Sequence, residues 1–378
     1  MMKKNNLRIL KFTALILPLI LILCFSQEYL FFYRNYDTER IEKFYEEEEN
    51  SLDVVFIGAS ELSAGFAPGY AYEKYGFTSY MYAMDANQGS LYLSQLKEIL
   101  KHQDPEILFV DLYGFLRADD SILFNDARLR IYTESIPFST NKFQTIMQFP
   151  CENKLSFFFP LIMHHSNLSA LDDNISGLYY QLTADLEPDP LKGVITTTAV
   201  YSGNGDPGEA FDPATYKLTD HSIAYLVEFL DYCKNNKLDN IVFTNYPRNI
   251  ANESNHSLLF LLEQAESIVA QYDYPVWNLQ DEMDAIGIDK TQDYYNEHHL
   301  NIYGQVKLTD YIGSKVIGEY GLTPRTQSES NRLEWEACAS NTKEFTQMAK
   351  DAIQAGNNIT IYERSNYWVF RNSFTANQ

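Results

Sequence analysis

The apolar and polar positions of this chain change period along its length. Phe12 to Phe25 (FTALILPLILILCF) is apolar and uncharged throughout. Asp53 to Ile57 is a short β-branched and apolar run that Gly58 breaks, and Ser60 follows two residues later among small residues. Such a run, bounded by a breaker, predicts a buried strand ending in a sharp turn. Thr78 to Ala83, Glu106 to Leu112, Asn240 to Asn245 and Pro275 to Leu279 repeat the strand pattern. Between them the spacing becomes helical. Pro68 to Tyr75 predicts a short helix, and Gln88 to Gln103 carries Leu91, Leu93, Leu96, Ile99 and Leu100 near helical spacing. Ser222 to Lys234, Ser257 to Tyr272 and Ile302 to Gly318 predict further helices. Strands and helices alternating at these lengths predict an α/β architecture, a parallel sheet with right-handed crossovers.

The alternation stops between about Tyr113 and Asp220. That segment holds Phe157-Phe158-Phe159-Pro160, the pair His164-His165 and the glycine-rich piece Tyr201 to Gly208. A structureless loop of this length does not suit a compact domain, so residues 113–220 are expected to form a largely helical insertion over the active edge of the sheet. Before the first strand, residues 34–50 form a charged connector. After the last helix, residues 321–378 form an extension, with a polar linker over Thr323 to Asn331, a helix over Leu333 to Ala355 and a strand or hairpin over Asn358 to Phe370.

Charge then adds orientation. The chain has 29 basic and 51 acidic residues, a net charge of −22. Four of the basic ones, Lys3, Lys4, Arg8 and Lys11, precede everything else, which leaves 25 against 51, or −26, for the remainder. Phosphate binding needs the opposite sign, so nucleic acid is not an expected partner. A bilayer takes about 20 apolar residues. The apolar run reaches that length with its interfacial neighbours, which predicts one transmembrane anchor over residues 12–33 and a cytoplasmic tail over 1–11. Phe25-Ser26-Gln27-Glu28 is a poor cleavage site. The positives before the run and the acids Glu46 to Glu49 after it put the main domain outside the cell. Of the four cysteines, Cys24 falls in the anchor, and Cys151, Cys233 and Cys338 are an odd number without metal-type spacing. The 28 tyrosines and 24 phenylalanines suit an aromatic core better than a carbohydrate-handling surface.

Two stretches carry candidate chemistry. Ser60 sits where an open α/β sheet puts ligands, outside the carboxyl end of a strand. Near the other end, Asp293-Tyr294-Tyr295-Asn296-Glu297-His298-His299-Leu300-Asn301 runs directly into an amphipathic helix. A strand-end serine and a histidine before a late helix are the two halves of a nucleophile and its base. The GAS around Ser60, the HLNIYG that begins at His299 and the order of elements between them resemble the SGNH/GDSL hydrolase family in its membrane-anchored bacterial branch, over roughly residues 50 to 320. With the nucleophile after the first strand and the base after the last, the expected fold of residues 51–320 is a three-layer flavodoxin-like one of about five parallel strands.

The resemblance implies Ser60 as nucleophile and His299 as base. It puts the orienting acid three residues before the histidine, where this chain has Asn296. An asparagine holds an imidazole but does not stabilise imidazolium as a carboxylate does. Asp293 is the alternative, if the loop doubles back. Ala59, Asn87, Gln88 and Gly89 are the candidates for an oxyanion hole, and each of the last three equally suits the start of the next helix. The family's Gly-x-Asn-Asp block after the third strand has no match; Asp111-Leu112-Tyr113-Gly114 stands there. The run FFFPLIMHHSNL resembles a segment of the anchored branch in which a histidine recurs, which marks His165 as a pocket-wall candidate against the plainer reading of a helix cap. Neither a cofactor nor a metal is implied. GASEL, the anchor and the insertion together resemble DltD-like and cell-surface O-acetylation proteins. The implied activity is acyl-ester hydrolysis or O-acyl transfer on cell-surface polysaccharide or teichoic acid, with a multi-pass membrane acyltransferase as a candidate partner. The alternative is a decayed scaffold or glycan-binding protein on the same fold.

Overall fold

The computed structural model describes residues 2–26, 36–165, 175, 190–354 and 362–363. The chain divides into two units, Met1–Asn35 with Pro150–Glu187, and Tyr36–Phe149 with Pro188–Gln378.

The second unit is built on five strands: β1 (Val54–Gly58), β2 (Ser79–Ala83), β3 (Ile107–Asp111), β4 (Ile241–Asn245) and β5 (Val276–Asn278). They lie in the order β2-β1-β3-β4-β5, every neighbouring pair parallel. β2 to β5 fall within the runs that predicted them, and β1 extends one residue past its run, to Gly58. The first four are buried along their whole length, which is why nearly continuous apolar runs encode them. The chain leaves β1 toward β2 and crosses back to β3 on the other side, so strand order reverses at β1 and opens a crevice at the carboxyl ends of β1 and β3.

Helices form two groups. Gly89–His102 packs on Thr140–Gln148 and Asp220–Asn235, and the last of these packs on Ser257–Ala270; Pro68–Tyr75 packs on Ile302–Gly318 and Glu329–Gln354. Val54, Phe56 and Phe109 share one core with Leu308, Ile312 and Val316. Aromatic rings fill much of the interior: Phe56 stacks on Phe109 with centroids 4.9 Å apart, and Tyr80, Tyr82, Tyr92, Tyr132 and Tyr294 are fully buried. Part of the aromatic abundance is therefore core.

Two flanking segments belong to this unit more closely than their polarity indicated. The charged connector forms a helix, Tyr36–Phe44, with Ile41 and Phe44 fully buried. Its Arg40 pairs with Asp37 at 3.2 Å and donates to the Ala83 carbonyl at 2.8 Å, and Glu47 receives the buried Lys192 at 2.8 Å. Asp37, Arg40 and Glu47 are thus paired inside rather than solvated, while Glu48 and Glu49 are exposed. In the extension, the helix Glu329–Gln354 buries Trp335 against Tyr72, with ring centroids 5.4 Å apart. Tyr362–Glu363 pairs with Thr196–Thr197; the rest of the expected strand or hairpin over 358–370 lies outside the described residues. The four cysteines are free.

In the first unit, the helix Met2–Phe25 contains Pro18 and exposes Phe12, Leu15, Leu17, Leu19, Leu21 and Ile22. Among the described residues no helix is long and apolar enough to cross a membrane. Side chains there are described only from Lys11 onward, short of the about 20 residues a bilayer takes. The expected continuation of the anchor over Tyr29 to Tyr33 lies outside the described residues. Of the insertion, the helices Leu155–Phe158 and Leu161–His164 fall in this unit, while Asp126–Ser135 and Thr140–Gln148 fall in the other.

Candidate active site

Ser60 is the first residue of a single helical turn, Ser60–Ser63, that begins two residues beyond β1. The turn is clamped from both neighbouring strands. The Ala59 N–H donates to Asp111 Oδ2 at 3.3 Å, and Asn87 Nδ2 donates to the Gly58 carbonyl at 2.8 Å. Gly58 is required for space: a Cβ there would lie 2.7 Å from Asp111 Cβ and 2.7 Å from Leu62 Cδ1. Its dihedral freedom is not what the turn uses, since its φ is not positive.

His299 reaches this turn from a loop folded back on itself. Tyr294 bridges Leu300, and the Tyr295 N–H donates to the His299 carbonyl at 3.1 Å. Asn301 caps the following helix, its Oδ1 accepting from the Tyr303 N–H at 3.0 Å, while its amide donates to the Gln292 carbonyl at 2.6 Å. These bonds fix where the imidazole emerges.

His299 Nε2 lies 2.8 Å from Ser60 Oγ. On the other side of the ring, Nδ1 lies 2.9 Å from Asn296 Oδ1. The same oxygen accepts the backbone N–H groups of His298 at 2.8 Å and His299 at 2.9 Å. Two backbone N–H donors converging on one atom identify it as the amide oxygen, and an oxygen facing Nδ1 places the ring proton there. Nε2 then holds a lone pair directed at the serine hydroxyl. Tyr295 stacks on the ring, centroids 5.3 Å apart.

Asp293 does not reach the histidine. Its buried carboxylate accepts from Lys307 at 2.6 Å and from the Asp289 N–H at 2.6 Å, which ties the loop to the helix Ile302–Gly318. Of the two orienting residues open from sequence, the structure brings Asn296 to the ring. Burial pushes His299 down to about 4; Glu61 and Glu297 act upward, His298 and Arg248 downward. The imidazole is therefore neutral across the physiological range, the form in which it accepts a proton.

The oxyanion-hole candidates are largely occupied by the fold. Both recorded bonds of Asn87 Nδ2, to Gly58 O at 2.8 Å and to Gln95 Oε1 at 3.0 Å, are internal. Gln88 Nε2 donates to the Asn125 carbonyl at 3.4 Å, and Gly89 opens the helix Gly89–His102 against Phe115. The Ala59 N–H is taken by Asp111. The remaining donors beside Ser60 are the first N–H groups of its own helical turn, which have no intrahelical acceptor. His165 is exposed in the first unit, and its Nδ1 lies 2.9 Å from the Ile162 carbonyl of its own helix, the cap-like geometry.

Three residues beside Ser60 were not identified from sequence. Glu61 is buried, its Oε2 3.4 Å from Ser60 Oγ and its Oε1 3.5 Å from the Arg248 guanidinium. Arg248 also lies 3.4 Å from Asp206 and contacts His298. Asp111 ends β3 fully buried, and burial together with Glu61 pushes it up to about 7. An acid closing a buried apolar strand was the available signal for Asp111; Arg248 follows β4 at the same edge of the sheet. Glu61, Asp111, Tyr113, Tyr246 and Arg248 line a cavity of about 20 Å³, room for one water molecule. Among the described residues no group of three or more His, Cys, Asp or Glu is placed to hold a metal ion.

No family model matches the sequence. No curated protein matches it either. Among solved structures, the chain is similar to the crystal structure of the lipase/acylhydrolase from Enterococcus faecalis, at 10% identity and a TM-score of 0.32, over 73% of this chain and 100% of that one.

Proposed function

We propose that this chain is a membrane-anchored, extracytoplasmic serine acyl-ester hydrolase or O-acyltransferase of the SGNH type, acting on cell-surface polysaccharide or teichoic acid. The observation that carries the reading is the hydrogen-bonded series Ser60 Oγ, His299 Nε2 and His299 Nδ1, Asn296 Oδ1, at 2.8 and 2.9 Å. In this reading Ser60 Oγ bonds to the acyl carbon as its proton passes to Nε2, and the carbonyl π pair moves onto oxygen. The N–H groups at the start of the Ser60–Ser63 turn are the donors placed for that oxyanion. Collapse expels the alcohol, which takes the proton from Nε2 and leaves an acyl-serine. A water or an acceptor hydroxyl, deprotonated by His299, then attacks the acyl carbon and frees Ser60.

The exposed apolar face of the helix Met2–Phe25, preceded by Lys3, Lys4 and Arg8, supports the anchor and its orientation. A second reading, a scaffold or glycan-binding protein on a decayed hydrolase fold, is favoured by one observation: the residue on Nδ1 is an uncharged amide. Labelling separates the two. A fluorophosphonate should modify Ser60 of the full-length chain, and Ser60→Ala should abolish the adduct. An unmodified Ser60 at every pH tested sinks the enzyme and leaves the scaffold.

A further inference from the structure

We propose that Glu61 supplies the charge that Asn296 lacks, so that the two tasks of a triad acid are divided: Asn296 orients the ring and Glu61 stabilises the imidazolium. The inference rests on the acyl-transfer reading above and adds a residue to it.

An orienting carboxylate does two separable things. It fixes the tautomer and angle of the imidazole, and it lowers the cost of the positive charge formed when the serine proton arrives. The Asn296 oxygen, 2.9 Å from Nδ1, does the first. It carries no net charge for the second. Glu61 approaches from the other side. Its Oε2 is 3.4 Å from Ser60 Oγ, which is itself 2.8 Å from Nε2. The carboxylate thus lies on the side of the ring nitrogen that acquires the proton. Glu61 is 6% exposed, and buried pairs are screened far less than surface ones.

The surroundings fix this arrangement. Arg248, 3.5 Å from Oε1, pairs with Glu61. Asp111, behind it on β3, is pushed up to about 7 by burial and by Glu61. Of the charged groups facing His299, His298 and Arg248 oppose imidazolium, while Glu61 and Glu297 favour it, Glu61 more strongly. Glu61 is in this sense a positioning residue for charge, acting on the base rather than on the substrate.

The test uses the full-length chain with ¹³C-labelled histidine. It has seven histidines, and the His299 signal is identified by its loss in His299→Gln. The ionisation midpoint of His299 is read by NMR, and the fluorophosphonate rate constant is measured at neutral pH, in both the unmodified and the Asn296→Asp backgrounds. Glu61→Gln, isosteric and uncharged, should lower the midpoint by about one unit in each background. One unit is a factor of ten, so labelling should slow by up to about 10-fold. Glu61→Asp, which keeps the charge, should recover most of both. A midpoint unchanged in Glu61→Gln overturns the inference whatever the labelling shows. If the unmodified chain never labels, the acyl-transfer reading falls, and any midpoint shift then describes electrostatics without catalysis.

Discussion

An imidazole buried against an amide rather than a carboxylate stays neutral to low pH, and the consequence is a displaced pH profile. His299 is pushed down to about 4 by burial, and the base must be unprotonated to act. The rate for the free enzyme should therefore hold as pH falls through 6.5 and be lost only near 4. Asn296→Asp places a carboxylate on Nδ1. It should move that acid limb upward, because the added charge favours imidazolium, and raise the rate at pH 8 about 10- to 100-fold. A pH–rate curve with a small activated ester, unmoved by the substitution, would contradict the assignment. At this scale the pairing of Ser60 with His299 was open to sequence reasoning, and the finer pairings around them were not. Ser60 and His299 were legible because each sits at a position the architecture reserves for chemistry. The choice between Asn296 and Asp293 was not, since it depends on which way a nine-residue loop folds back. Glu61 stood next to the serine in GASEL, but nothing in one dimension brings Arg248 to it.

At the scale of the element, the turn between β1 and its helix is the part most sensitive to volume. Gly58 is hemmed in by Asp111 and Leu62, each 2.7 Å from where a Cβ would sit. Gly58→Ala should cost about 1–3 kcal/mol by overpacking and should displace Ala59 from Asp111, so that labelling of Ser60 falls more than the loss of fold accounts for. Denaturant melts with phosphonate kinetics on the same preparation check both. A full rate in a stable variant would show that the β1–β3 clamp does not hold the nucleophile. The strands were legible because complete burial makes their runs continuous. The connector's burial was not legible because charges such as Arg40 and Glu47 find their partners, Ala83 and Lys192, elsewhere in the chain.

For the molecule as a whole, the excess of acid sets the field that the acceptor of the proposed reaction would meet. With −26 beyond the first basic cluster, the surface repels a polyanion over about 8 Å at physiological ionic strength. Acyl transfer to a phosphate-rich teichoic acid should therefore speed up with added salt, whereas hydrolysis of a neutral acetyl ester should not. Rates on both substrates from low to moderate salt measure this, and a salt-accelerated neutral ester would attribute the effect to the protein itself. The α/β class was legible at this scale from alternation alone. The division into two units was not, because it depends on how the insertion packs, for which no periodic signal exists.

The bond between Ser60 and His299 joins positions 239 residues apart. A ribosome adding about 5–20 residues per second makes the hydroxyl on the order of ten seconds or more before the ring that activates it. Throughout synthesis, the half-made polypeptide carries an inert alcohol. In the function proposed above, the capacity to cut or move an ester would arrive only with the last quarter of the chain, as a built-in delay.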